Sequence, residues 1–578
     1  MIRWSTPATR CAGALLLVVM CATLASGCGG GAKPSPEPAS PQTPQPASPQ
    51  QQVAVKPEDM IIRECGSFPC YPDPAVGNGN IEAIALANLY DCLVFPEPTG
   101  EVKPHLATDW KVSPDGLKYT FNLRKGVKFH SGNELTADDV VFSLKRLQTI
   151  GEGFAYLFSD VRDATAVDKY TVEFTLKKTF GPFVAALVRL YILEKNTVMN
   201  HLEKPGQYGE FGDYGKKWLL TNDAGSGPYR LKEMKLEEYL LGERFADYWG
   251  GWDNKDAPNF FKLTSSSEPV TVRTALARRE LEITDMWQPL ESLQEADKID
   301  GVDLAYLYNG QNFQIMLNTK RPPTDDLHFR KALAYCMDYD TVINRIYVGS
   351  TLAKGPVPTL LPGHNSGLSV YKRDMQKAQE ELKQSKYYGQ LDKYPVSISW
   401  SAGVAEEEKV ALLFQANAAE LGIKVEILKK QWGQIIADSQ KKETTPNGSL
   451  MFVGTHYPEA GSMLKSRYHS STAGTWEQQE WLQNPEIDAM IDKALSTSEQ
   501  GKRFELYNQI QEKLVELCPT VWLFDQSEIR AYQSAYMQWP LVEYVKGGGK
   551  VTCPTMGYFD YFRNMKVYPD KRAALLGK

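Results

Sequence analysis

Residues 104–146 read PHLATDWKVSPDGLKYTFNLRKGVKFHSGNELTADDVVFSLKR. Trp110 and Val112 alternate with polar neighbours and lead into Ser113-Pro114-Asp115-Gly116, a turn signal. Tyr119, Phe121 and Leu123 then recur at period two, which predicts a strand with one buried face, and Val127 to Phe129 predicts a second short strand. Ser131-Gly132 supplies a tight turn. Thr136 is placed to cap a helix by accepting a first-turn amide hydrogen. Asp138 and Asp139 suit the positive helix end, and Val140, Val141 and Leu144 form the expected buried stripe.

The chain has 578 residues, of which 42% are hydrophobic, an ordinary globular composition with room for several domains or one multi-lobed unit. The formal charge of −6 includes Arg3 and Arg10 and becomes −8 without them. A mildly acidic chain with no basic patch argues against nucleic acid as partner. The nine cysteines include no CxxC pair and none has a histidine at metal-ligand spacing, so no metal site and no cofactor is expected. Cys65 with Cys70 and Cys518 with Cys553 are the disulfide pairs expected, while buried free thiols serve equally well for Cys92 and Cys336. A hydrolase would need a nucleophile–base pairing; with seven histidines and neither a GxSxG nor an HExxH string, no candidate emerges. No catalytic residue is therefore expected.

Residues 1–28 read as a leader: two arginines, an apolar run over Ala12 to Ala25, then Leu24-Ala25-Ser26-Gly27-Cys28. The ending resembles a bacterial lipobox, with Cys28 the lipidation site, although Ala25 stands where the usual leucine would be. Residues 29–55 are rich in Pro, Ser and Gln and predict an extended tether without a core.

Beyond the tether, LRKGVKFHSGNELTADDVVFSL closely resembles the signature of the bacterial extracellular solute-binding proteins of family 5, which deliver peptides, nickel and some sugars to ABC importers. Further strings follow in family order. Pro72-Asp73-Pro74 resembles the "LDP" turn, Leu89-Tyr90-Asp91-Cys92-Leu93 the "LYEGL" string and Gly225-Ser226-Gly227-Pro228-Tyr229 the "GTGPY" string. Arg279-Glu280-Leu281-Glu282-Ile283-Thr284 is similar to "GELDIT", and Leu327 to Asp338 to a family helix. The helix Glu406 to Leu421 closed by Gly422, the strand Ile423 to Ile427 and the helix Lys502 to Leu517 complete the landmarks.

The resemblance implies an α/β, type II periplasmic-binding-protein-like fold of two lobes with an extra small third domain. Lobe I would comprise 56–86, 221–309 and 516–578, the small domain 87–220 and lobe II 310–515. It implies a monomeric receptor in the periplasm or at the cell surface, lipid-anchored to the membrane, that closes on ligand and docks on an ABC permease; the chain has no P-loop of its own. In the peptide-binding branch a loop aspartate takes the ligand's amino group. In the matching stretch Val453 to Ala460, His456 stands in its place, and Glu459, three residues on, is the expected substitute anchor beside Tyr457. Trp432, Tyr156, Trp287, Asn78 and Gly227 are the other ligand-binding candidates that the resemblance implies. Two cargo classes stay open: peptides, and a non-peptide such as an oligosaccharide, favoured by the missing aspartate and the supply of aromatics. Core packing for each aromatic, a structural role for His456, and an adhesin or signalling receptor on the same fold also stay open.

Overall fold

In the computed structural model, which describes residues 56–577 apart from Ser67, Ser266, Ser267, Cys553 and Pro554, the signature stretch folds around one strand. Lys118–Leu123 buries Tyr119, Phe121 and Leu123 and turns the residues between them outward. It lies between Ala107–Val112 and Thr171–Leu176 in a four-stranded antiparallel sheet closed by Val161–Asp168. The turn before it is held by the Leu117 N–H, which donates to Asp115 Oδ1 at 3.0 Å, with Gly116 at φ +68°.

Helix Ala137–Ile150 packs on the edge strand of this sheet and ends at Gly151, φ +73°. Its start is a capping box, the Thr136 side chain facing the Asp139 N–H, and the Thr136 N–H and hydroxyl both donate to Asp139 Oδ2, each at 2.9 Å. Val141 is only half-buried; Val140, Leu144 and Leu147 carry the inner face. Residues 127–129 form no strand. A single bridge joins Lys128 to Glu134, and the Leu135 N–H donates to the Val127 carbonyl at 2.8 Å, so the segment is a loop folded over Gly132. The helix is tied to the chain start by Arg146, whose two Nη atoms meet the Asp73 carboxylate at 2.6 and 2.7 Å with both side chains buried.

Two further sheets frame the molecule. The first runs Ile61–Gly66, Phe260–Ser265, Tyr239–Arg244, Tyr229–Lys235, its first pair parallel. The second has six strands in the order Thr351–Leu352, Thr520–Tyr532, Asp303–Leu317, Gly448–Val453, Val396–Ser401, Val425–Lys430. The long antiparallel pair Asp303–Leu317 and Thr520–Tyr532 connects them, because Ile283 bridges both Glu64 and Tyr532. The register of that pair breaks between Tyr308 and Asn312, where Gly310 adopts φ +69°. A bulge there bends the two strands on their way from one sheet to the other. This mixed α/β architecture is the type II binding-protein fold.

Helix Ala405–Ala419 is followed by Gly422 at φ +76° as its sequence implied, but the next strand starts at Val425 and runs on to Lys430. Arg279 occupies a left-handed conformation, φ +58°, where the family string has glycine. Its guanidinium is held by Gln533 Oε1 at 2.7 Å and the Asp300 carbonyl at 2.5 Å. Cys65 and Cys70 are buried free thiols, not the disulfide expected of them; Cys92, Cys336 and Cys518 are buried thiols too. Cys553, the leader, Cys28 and the tether to residue 55 lie outside the described residues. No described helix is long and apolar enough to cross a membrane.

Candidate functional site

Between the first sheet and the six-stranded sheet lies a cavity of about 650 Å³. That is within the range of about 300–1,000 Å³ typical of small-ligand sites. The first sheet contributes Glu64 and Cys65 at the end of its leading strand, and the six-stranded sheet contributes Ser401, Met451 and Phe452. Arg530, on the long strand that joins them, completes the frame.

Of the eight candidate ligand residues, the structure brings four to this cavity: Asn78, Trp287, Trp432 and His456. Trp287 meets Phe452 edge-on at 5.4 Å. Trp432, at the first turn of helix Trp432–Ser439, is 43% exposed and lies 5.2 Å from Trp476, so its indole is not consumed by the core. Tyr156 reaches the site at one remove: its hydroxyl makes a short hydrogen bond with His456 Nδ1. The other ring nitrogen, Nε2, lies 2.8 Å from Glu477 Oε1. The His456 backbone is fixed as well. Its N–H donates to Ser462 Oγ at 2.8 Å and its carbonyl accepts from Arg189 Nε at 2.9 Å.

The remaining three stand elsewhere. Glu459 does not line the cavity. Its carboxylate is held by Arg503 Nε and Nη2 at 2.7 and 2.8 Å and by the Tyr507 hydroxyl at 2.7 Å, all buried, which leaves nothing to offer a ligand amine. Tyr457 is buried beside Phe180, 6.1 Å between ring centres. Gly227 packs against the end of helix Asn80–Leu89, where a Cβ would come within 2.5 Å of the Leu89 carbonyl carbon; that contact, rather than a ligand, explains the glycine.

Sequence reasoning missed Trp476, Glu477, Glu407 and the Glu64–Arg530 pair, all of which line the cavity. Burial pushes the Glu407 carboxyl up to about 8 and that of Asp285, another wall residue, up to about 6. Glu407 follows the strand Val396–Ser401 at the start of its helix and accepts the Ser401 N–H at 2.7 Å. The arrangement has hydrogen-bonding groups, indoles and carboxylates around a void, and no described cluster of three His, Cys, Asp or Glu side chains suited to hold a metal ion. Such a void can enclose a solute and hold it by area and polar contacts.

Comparison with known proteins agrees with this geometry. The family model described as "Bacterial extracellular solute-binding proteins, family 5 Middle" matches residues 101–475. The probable D,D-dipeptide-binding periplasmic protein DdpA of Escherichia coli is 26% identical over 490 residues, covering 82% of this chain and 90% of that protein. The dipeptide-binding protein of Escherichia coli is 29% identical over 482 residues, covering 75% and 83%. Among solved structures, the ABC transporter-associated periplasmic binding protein DppA from Helicobacter pylori in complex with peptide STSA superposes with a TM-score of 0.73 at 23% identity, covering 88% of this chain and 98% of that one. At that identity the superposition establishes the fold.

Proposed function

The chain belongs to the bacterial extracellular solute-binding proteins of family 5, a family of binding proteins and not of enzymes, and on that premise we propose that it captures peptides in the cavity between the sheet led by Ile61–Gly66 and the six-stranded sheet and delivers them to an ABC permease. The observation that carries the reading is the cavity itself: about 650 Å³, framed by both sheets and joined by one strand pair with a bulge at Gly310. A solute bound there touches both frames only when they are closed on it, and that differential contact is what shifts a hinge equilibrium. A micromolar ligand supplies about 8 kcal/mol, enough to hold a hinge shut.

The peptide class is supported by the names of the relatives with which the chain aligns over three quarters or more of its length. We assign lobe I to 56–86, 221–309 and 516–578, the small domain to 87–220 and lobe II to 310–515. An extracytoplasmic monomer, lipid-anchored through Cys28 and held off the membrane by the tether, completes the reading. The ligand-contact set we assign is His456, Trp432, Trp287 and Asn78, with Tyr156 acting through His456.

A thermal-shift screen of the full chain against di- to pentapeptides and oligosaccharides tests it. A ligand at a hundredfold its Kd adds about 2.7 kcal/mol of stability, so peptides raise the melting point. Stabilisation by oligosaccharides alone would replace the peptide reading by the second one, which the three indoles Trp287, Trp432 and Trp476 on the wall would serve.

A further inference from the structure

The walls of the cavity are rich in carboxyl groups. Glu64, Glu82, Asp285, Glu407 and Glu477 all line it, and among the lining residues the only lysine or arginine is Arg530. Arg530 is already engaged. Its Nε donates to the Thr284 carbonyl at 2.8 Å, its Nη1 to both oxygens of Asp560 at 3.1 and 2.9 Å, and its Nη2 to Glu64. Arg189, the other buried guanidinium nearby, does not line the cavity. It lies 4.7 Å over the Phe154 ring and holds the wall from behind, donating to the carbonyls of His456 and Met556.

The acids differ in how far they are satisfied. Asp285 accepts the Trp287 N–H at 2.9 Å and the Gln288 amide at 3.3 Å. Two carboxylates keep capacity. Glu407 is 3% exposed and, among the described residues, accepts only the Ser401 N–H; Glu477 is 8% exposed and among them meets only His456. Around Glu407 stand Glu406 and Tyr347, neither a cation, while Lys409 is turned to Glu291 at 2.9 Å and Glu406 at 3.9 Å. Beside Glu477 in sequence is Trp476, whose ring meets Trp432 at 66°. Trp432 in turn follows the strand whose Lys430 pairs with Ser401. Indole faces next to a desolvated carboxylate suit an ammonium group.

We propose that the cargo is a basic oligopeptide, its ammonium groups held by Glu477 and Glu407 against Trp432 and Trp476, with no cargo carboxylate bound by a charged side chain. The proposal rests on the peptide-capture reading and narrows it to net positive charge. An ammonium entering the cavity completes two under-satisfied acceptors. It also draws the Glu407 carboxyl, held near 8 by burial, into its ionised form, so binding at pH 7 releases a proton from Glu407 to solvent. A cargo carboxylate would meet five acids and no free lysine or arginine on the wall.

The test is calorimetric titration of the full chain with Lys-Gly-Gly-Lys as its C-terminal amide, the same peptide with a free C-terminus, its fully acetylated form, and Glu-Gly-Gly-Glu. The amide is expected to bind at least as tightly as the free acid, and acetylation to weaken binding by about tenfold or more. Glu-Gly-Gly-Glu should not compete. Titrations in buffers of different ionisation enthalpy should show proton release that disappears in Glu407→Gln, and Glu477→Gln should abolish the effect of acetylation. The peptide comparisons stand on wild-type protein if a variant does not fold. Equal binding of the acidic peptide, or no effect of acetylation, overturns the charge assignment and leaves peptide capture intact. Failure of every tetrapeptide to bind at millimolar concentration overturns peptide capture, and the charge assignment falls with it.

Discussion

Nε2 of His456 lies 2.8 Å from Oε1 of Glu477, while Nδ1 of the same ring is hydrogen-bonded to the Tyr156 hydroxyl. One imidazole thus joins the short helix Ala155–Phe158 to the cavity wall across 300 residues of chain. His456 thereby meets Glu477, a carboxylate that comes from another loop.

His456→Ala removes the Glu477 side chain's only partner among the described residues and unmoors Tyr156. Loss of one partner of a buried polar pair is worth about 1–3 kcal/mol. The expected outcome is a lower Tm by calorimetry together with weaker peptide binding. Unchanged affinity would separate His456 from the site.

Glu459→Ala leaves Arg503 buried without its carboxylate, a change on the order of 3–5 kcal/mol. A chemical-denaturation midpoint should fall accordingly, while ligand affinity of the remaining folded protein stays at the wild-type value. A loss of affinity without loss of stability would return Glu459 to the role that its place in the sequence suggests.

The buried carboxyl of Glu407 sits at about 8, against about 4.3 in an unfolded chain. Between those values the folded protein keeps a proton that the unfolded chain has released. Its contribution to stability is therefore whole below about pH 4.3 and is lost as pH rises through about 8. Glu407→Gln still accepts the Ser401 N–H but does not ionise. The variant should melt a few degrees above wild type at pH 8.5 and together with it near pH 4.5. Parallel melting curves at both pH values would contradict this.

Gly227→Ala should destabilise without touching the cavity, because its Cβ would come 2.5 Å from the Leu89 carbonyl carbon and 2.6 Å from the Asn88 carbonyl oxygen. Neither is a movable side-chain tip, so helix Asn80–Leu89 has to shift. A fall of about 1–3 kcal/mol, the usual range for overpacking, is expected in a denaturation series; unaltered stability would reopen Gly227 as a ligand contact.

The parts of the fold legible in sequence are those written in local patterns. Tyr119, Phe121 and Leu123 announce their strand by period two, and Ala137–Ile150 announces itself by Thr136, its acidic first turn and its apolar stripe. Val127 to Phe129 misled because two buried residues at that spacing suit a tight loop as well as a strand, and the hydrogen bonds close on 133 and 135 within the loop. In the site, Trp432 was singled out by the family resemblance, but Trp476 and Glu477 carry no local signature. Contacts with Trp432 and His456, 44 and 21 residues earlier, bring them to the wall. Glu459 was misplaced for the opposite reason: closeness to His456 in sequence suggested a shared site, while its actual partner, Arg503, lies 44 residues on in a different helix.

Gly403 offers the most direct test of the claim that solute is held in this cavity. It lines the void, and a Cβ added there meets nothing within 4 Å, so Gly403→Trp fills space without displacing backbone. Titration calorimetry of wild type and Gly403→Trp with a stabilising peptide should show saturable one-to-one binding in the first and none in the second, with melting temperatures of the free proteins alike. Equal binding by both would place the solute outside the cavity and contradict the account.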